Sequence, residues 1–505
     1  MTIDVRFTSD EYTYNLSIWT LIRDCIAGEK QIKSRDSGAA LSPVSSNLTD
    51  STVNYTPIVY LPMPNPTDTS AENRARYAQY LQRASFYGAT SRTLAGMMGM
   101  VFKSAPKVVL PSEMEYLKDN VDGSGIGINQ QSQELSRDVG SIGRGGLYVD
   151  YPQTDGQTSK ADAESGGIQA TINFYAAECI LDWDVMKVGS KTLLSFVKLQ
   201  ETVNTRDTET LKMETKKQYR VLMLEKQDSG ETVYVVKVYN DAGEQEGDTV
   251  APKTGDGSFW NHIPFYFVGS TNNRPNVDDA PLQEIADINI KHYRNSADFE
   301  ESSFTVGQPT LAVSGLTQAW VKEFYPNGLP FGSRAALSLP KDASADLIQV
   351  QSNTMPAEGM KHKEEQMISL GARLITNGSG NKTAEAARID YEADSSALSI
   401  GISNINDAYE SALDDVALYT YKTESKALSE SKDIVFELNT DFLAVTLTPE
   451  QAEAYMRIWL GGAIDKDVLD SAYKRGGIIS DSKDLEEMNE NIDTAPVSAV
   501  DFDQE

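Results

Sequence analysis

The sequence predicts an α+β chain. Three observations carry this: long stretches with apolar residues at three- and four-residue steps, a block of short β-prone segments between residues 168 and 270, and a helix–small insertion–helix arrangement after residue 281. The 505 residues give room for roughly two to four domains. An apolar fraction of 40%, with 9% aromatic residues, supports packed cores rather than general disorder.

Residues 11–33 suit a first helix, with Trp19, Leu21 and Ile22 in its apolar part. A Ser/Thr/Asn-rich linker runs to about residue 56, followed by PIVYLPMPNPTD, an extended strand punctuated by prolines. Over 70–103, Tyr77, Tyr80, Leu81, Ala84, Tyr87, Leu94, Met98 and Val101 recur mainly at helical spacing and predict one amphipathic helix, with Pro106 ending the segment. Such an aromatic stripe reads as core packing. Gly123–Gly127 is a turn, 128–139 a helix, and Leu147–Tyr151 a strand entered through a turn at Gly145 and Gly146. Between 168 and 270, IQATINFY, TLLSFVKL, QYRVLML, TVYVVKVY and IPFYFVG alternate with charged or Gly-containing turns, as in a β-rich lobe or small barrel.

Residues 281–302 return to helix, with Pro281 suited to a first turn and Leu282, Ile285, Ile288, His292 and Ala297 along one side. A compact α/β insertion fits 303–356, where PTLAV and ADLIQVQ are strand-like and NG and FGS mark turns. Helix resumes from about 357 to Ile375. A longer helical stretch covers about 384–426, with Glu385 near its positive end and Ile402, Ile405, Tyr409, Leu413, Val416 and Tyr419 as its stripe. Gly401 is a candidate kink. IVFELNTDF, 434–442, is a late strand that must pair with an earlier one. After it come short helices broken at Gly461-Gly462, with a capping box at Thr448 and Gln451, and an acidic tail.

Between two of these helices lies GARLITNGSGNKT, residues 371–383, which looks almost like a phosphate-binding loop. A P-loop needs Gly immediately before its Lys, so that successive N–H groups can face the phosphates. Asn381 precedes Lys382, Thr376 stands where the leading Gly belongs, and the preceding segment is charged and helical rather than a buried strand. A Gly/Ser/Asn loop between two helices accounts for the residues better.

Other catalytic signatures are scarce. His262, His292 and His362 show no metal-ligand spacing, and GxSxG is absent. Cys25 and Cys179 are the only cysteines, so no disulfide framework is expected. Early charges (Asp4, Arg6, Asp10, Glu11, Arg23) argue against a signal peptide, and no apolar run reaches membrane-spanning length. These features suit a reducing cytoplasm. The net charge of −29 disfavours both a conventional DNA-binding protein and an anionic membrane as partner.

The order of elements resembles that of tailed-bacteriophage portal proteins, the head–tail connectors. So do three phrases: RYAQYLQRASFYGATSRTLAGMMGMVFKSAP, GRGGLYVDYP and DDAPLQEIADINIKHYRNSADFEESSFTVGQPTL. The resemblance covers about 60–445. It implies an α/β wing over 1–280, a stem helix at 281–302, a clip at 303–356 and a returning stem helix at 357–372. A tunnel loop at 373–384, a kinked channel helix with wing-return strand at 385–447, a crown at 448–492 and a tail at 493–505 complete the order.

The resemblance further implies a twelve-fold ring at one capsid vertex of the virion, assembled in the host cytoplasm. Double-stranded DNA would pass through it during packaging and ejection. Implied partners are the terminase large subunit, head-completion, adaptor or tail proteins, and the major capsid and scaffolding proteins. No membrane, cofactor, metal or enzymatic activity is implied. Arg373, Asn377, Gly378, Ser379, Gly380, Asn381, Lys382 and Arg388 would then face the channel. Gly378 and Gly380 would allow bending, and the polar residues could meet phosphates. Over 357–390 the five cations Lys361, Lys363, Arg373, Lys382 and Arg388 face the five acids Glu358, Glu364, Glu365, Glu385 and Asp390. Such balance suits a conduit that must not grip DNA. The stem helices, flanking an insertion, are expected to need neighbouring subunits to bury their stripes. Two alternatives remain: another ring-forming head–tail adaptor, and an acidic cytosolic hydrolase using Asp/Glu pairs.

Overall fold

The structure is a computed structural model. It describes residues 4–41, 58–152, 168–226, 232–308, 310–328, 338–349, 354–375, 397–440, 442, 449–460, 466, 469 and 473. Helix and sheet are mixed, as in an α+β chain. In order, the helices α1 (Asp10–Ala27), α2 (Glu29–Leu41), α3 (Ala71–Arg83) and α4 (Ala89–Val101) come first. They are followed by β1 (Lys107–Val109), α5 (Ile128–Ile142), β2 (Arg144–Asp150), β3 (Thr171–Ala176), β4 (Ile180–Val188), β5 (Lys191–Arg206), β6 (Met213–Lys226), β7 (Thr232–Asn240) and β8 (Phe265–Gly269). Then come α6 (Gln283–Val306), β9 (Thr310–Ser314), α7 (Gln318–Phe324), β10 (Ser344–Ile348), α8 (Met355–Ile375), α9 (Ala397–Thr420), α10 (Glu424–Glu430), β11 (Val435–Glu437) and α11 (Pro449–Leu460).

The chain forms two compact units: Met1–Ser17 with Leu94–Pro281 and Leu374–Glu505, and Ile18–Thr93 with Leu282–Arg373. Residues 18–93 thus group with the helices around the insertion.

In the first unit, β3-β2-β8 make one antiparallel sheet and β4-β5-β6-β7 a meander. Both are open, so the lobe expected as a possible barrel is two sheets. Gly145 and Gly146 lie within β2 instead of turning into it, paired with Ala176 and Tyr175 on one side and Val268 and Phe267 on the other. Gly143, at φ +75°, makes the turn from α5. The two strand glycines answer a steric demand: a Cβ on Gly145 would sit 2.6 Å from Leu135, and one on Gly146 would run into the Phe265 ring and Ile180. The late strand is short; β11 pairs antiparallel with β1, Phe436 opposite Val108.

The whole predicted stripe of α9 is buried: Ile402, Ile405, Tyr409, Leu413, Val416 and Tyr419. The helix runs unbroken through Gly401, which packs near Val139 and Ser270 and marks no break in the helix.

Arg144 is fully buried, with its guanidinium over the Trp183 and Phe267 rings at 4.6 and 4.0 Å and Nη1 donating to the Asn276 carbonyl at 3.1 Å. Burial pulls this group down to about 9, against the charges of Glu11 and Asp278. It pins the loop that leads from β8 to Pro281.

The second unit is helical. The single helix expected over 11–33 breaks at Gly28, where φ is +88°. The one expected over 70–103 is two helices, α3 and α4. The chain between them turns out of helix where the Ser85 N–H donates to Ser296 Oγ and Phe86 packs on Tyr293. PIVYLPMPNPTD is irregular where described and forms no strand. Helix α6 starts after Leu282, so Pro281 precedes it rather than occupying its first turn. Residues 329–337, including the FGS turn, 384–396, Thr448 and Gly461-Gly462 lie outside the described residues.

Candidate functional site

Of the residues expected to face a channel, Asn377, Gly378, Ser379, Gly380, Asn381, Lys382 and Arg388 lie outside the described residues, and of Arg373 only the backbone, in the last turn of α8, is described. The helices before and after that segment in sequence are each held within their own unit.

In the second unit, α8 runs antiparallel to α6. His292 Nε2 lies 3.1 Å from Glu364 Oε1, and three residues further along α6 Asn295 lies beside Gly359, five residues back along α8. A Cβ on Gly359 would sit 2.8 Å from the Asn295 side-chain amide, which would have to turn aside to admit it. His292 is buried and tilted against Tyr87 at 5.4 Å, which makes it a packing residue. Helix α6 is fastened along its length. Asn289 accepts from the Thr90 N–H and hydroxyl at 3.2 and 3.0 Å and donates to the Tyr87 carbonyl at 2.6 Å. Tyr80 donates to Asp298 at 2.6 Å, and Arg83 pairs with Glu301. Contrary to the expectation that the stem helices lack partners, α6 buries side chains from Ile285 to Ala297 within its own unit, while 298–306 bury none; on α8, Met355 and Ile368 are exposed as expected.

Two buried acids hold the segment after the linker. Asp24 accepts from Arg35 at 2.9 Å and from the Tyr60 hydroxyl at 2.7 Å. Asp36, with no exposed surface, accepts from the Tyr60 and Leu61 N–H groups at 2.7 and 3.0 Å and from Tyr293 at 3.4 Å. Burial pushes the Asp36 carboxyl up to about 6, with the two backbone N–H bonds opposing. An acid whose folded pKa is raised disfavours folding above that pKa, and the penalty fades as pH falls through it toward the unfolded value. Asp36→Asn is therefore expected to raise the melting temperature by about 2 °C or more at pH 7.5, with the gain shrinking below pH 6 and gone by about pH 4. Paired thermal melts across that range check this; an equal gain at every pH would contradict it.

In the first unit, α9 is clamped from Asn404 to Tyr419. Asn404 donates to the Gly269 carbonyl at 2.9 Å and accepts through its own carbonyl from Asn273 at 2.8 Å. Asn406 accepts from the Leu438 N–H at 3.0 Å, and Tyr409 donates to Gln131 at 3.1 Å and packs on Phe436 at 4.3 Å. Buried Asp415 accepts from Tyr266 at 2.6 Å and lies 3.2 Å from His262 Nε2. Burial, reinforced by the Asp415 charge, pushes the Tyr266 hydroxyl far up, so it remains a donor. Tyr419 packs between Trp260 and Tyr151.

These polar clamps were missed in the sequence. A signal exists for one: Asp415 falls at helical spacing with Ala408, Ala412 and Tyr419, a carboxylate on an otherwise apolar face. Among the described residues no group of three or more His, Cys, Asp or Glu side chains is placed to hold a metal ion, and no helix is long and apolar enough to cross a membrane.

A family described as a domain of unknown function, DUF4055, matches residues 281–420. That span, a minority of the chain, runs from the residue before the α6 cap to the last residue of α9. No curated protein matches the chain. Among solved structures it is similar to a chain of the virion of a native gene transfer agent particle, at 12% identity and a TM-score of 0.36, covering 79% of this chain and 91% of that one.

Proposed function

We propose that the chain is a portal subunit of a tailed bacteriophage. Copies close into a ring at one capsid vertex, and the ring conducts double-stranded DNA and offers a docking platform to the packaging motor and then to head-completion or tail proteins. It acts as a conduit and a hub, with no catalysis and no cofactor of its own.

The observation that carries this is the excursion between α6 and α8. Helix α6 leads out, β9 and β10 pair antiparallel from Thr310↔Ile348 to Ser314↔Ser344, and α8 returns antiparallel to α6. None of the described side chains between 311 and 349 is buried, while Phe324, Leu347 and Ile348 are exposed. A two-stranded sheet and a seven-residue helix without a core do not hold together alone. Neighbouring copies in a ring would supply the missing cover through head-to-tail contacts. The −29 charge favours a channel from which a polyanion slides freely over one that holds it.

Purified protein is expected to form rings with a central hole in negative-stain images and to sediment as one large species, twelve copies on this reading. A monomer at micromolar concentration under several salt conditions would overturn the proposal.

A further inference from the structure

Strands β5 and β6 are longer than the sheet that contains them. Strand β4 pairs with β5 only up to Leu199, and β7 pairs with β6 only from Gln218. Beyond those points, from Thr202↔Lys217 to Arg206↔Met213, the two strands pair only with each other. This ribbon is exposed along its length, Asp207 and Lys217 being half-buried. A two-stranded ribbon with both edges open gains little by itself in water.

Its tip is nevertheless built. Asp207 accepts from the Glu209 and Thr210 N–H groups at 2.8 and 3.2 Å and from the Thr210 hydroxyl at 2.8 Å. Arg206 Nη1 donates to the Leu211 carbonyl at 3.2 Å, and the Asp207 N–H to the Lys212 carbonyl at 2.9 Å. These bonds hold Leu211 at φ +57°, the one non-glycine residue described at positive φ. A Gly or Asn would sit there without strain. Instead a leucine stands 67% exposed, beside an exposed Met213. The tip is thus ordered at a conformational cost and presents apolar surface that no described residue covers.

Charge indicates what it meets. Residues 202–217 carry Arg206, Lys212, Lys216 and Lys217 against Asp207, Glu209 and Glu214, a net +1, so the rest of the chain carries −30. A second copy offers that acidic surface at high local concentration in a ring. We infer that the β5–β6 ribbon is an arm that seats its tip, with Leu211 as anchor, on the next copy of this chain. This rests on the ring-forming reading above.

Leu211→Asn removes the anchor and relieves the backbone. The unassembled variant should melt at or above the wild-type temperature, while the concentration for half-assembly rises about tenfold, as expected for one buried leucine. Mass photometry over a dilution series reads the second quantity. A photocrosslinker on Thr208→Cys should give covalent dimers of the chain in assembled material. If the wild type never assembles, the ring reading itself fails. If it assembles, and Leu211→Asn assembles at the same concentration or the crosslinks stay within one chain, the arm is wrong and the ring reading stands.

Discussion

On the portal reading, capsids carrying a chain with Gly378→Pro and Gly380→Pro should contain this protein at the wild-type level and only a small fraction of the wild-type DNA. The two glycines lie in TNGSGNKT, between the end of α8 and the start of α9. Proline fixes φ and removes an N–H, so the substitutions restrict the segment without touching the clamps on either helix. Those clamps, His292–Glu364 in one unit and Asn404, Tyr409 and Asp415 in the other, are all distant in sequence from 378 and 380. In a ring, Lys382 would recur in every copy and form a circle of positive charge toward a passing polyanion. Encapsidated DNA per particle and incorporation of the chain are the two measurements. Normal DNA content would show that the segment does no work on DNA; loss of incorporation would make it structural.

Gly146→Val should abolish soluble expression of the chain. The new side chain would have to occupy the space of the Phe265 ring and the Ile180 methyl groups, in a strand paired on both sides. Overpacking of this kind, with no room for β2 to shift without losing register, costs about 3 kcal/mol or more. Gly146→Ala with Phe265→Leu should recover part of the loss. Soluble yield and thermal melts report both results, and a well-behaved Gly146→Val chain would mean that the sheet is far more yielding than its contacts imply.

The helical stripes were legible because burial along one face leaves a period in the sequence. Tyr77, Tyr80 and Leu81, and the α9 set from Ile402 to Tyr419, are all buried as spaced. The breaks inside helical stretches were not. Residues 70–103 keep their spacing across the interruption at 84–88, and the reason for that interruption, the bond from Ser85 to Ser296, lies 211 residues away. Gly145 and Gly146 looked like a turn because a glycine pair in sequence has two meanings, backbone freedom and close approach, and only the neighbours Leu135 and Phe265 decide between them. The candidate channel residues rest on composition and resemblance alone. The polar clamps beneath α9 stayed hidden because Asn404, Asn406 and Asp415 gain meaning only from partners on other elements.

The pairing of β1 with β11 bears on how the chain is made. Lys107 and Glu437 are opposite one another but 330 residues apart in sequence. On a ribosome adding about 5–20 residues per second, the edge of β1 waits roughly 15–65 s for its partner. The first unit cannot close until its last segment has emerged, whereas the helices of the second unit are complete once α8 is made. Nascent chains would pass through a long-lived state with an open strand edge, prone to capture by other chains. Synthesis speed and chaperone supply, as much as final stability, would then set the yield of assembly-competent protein.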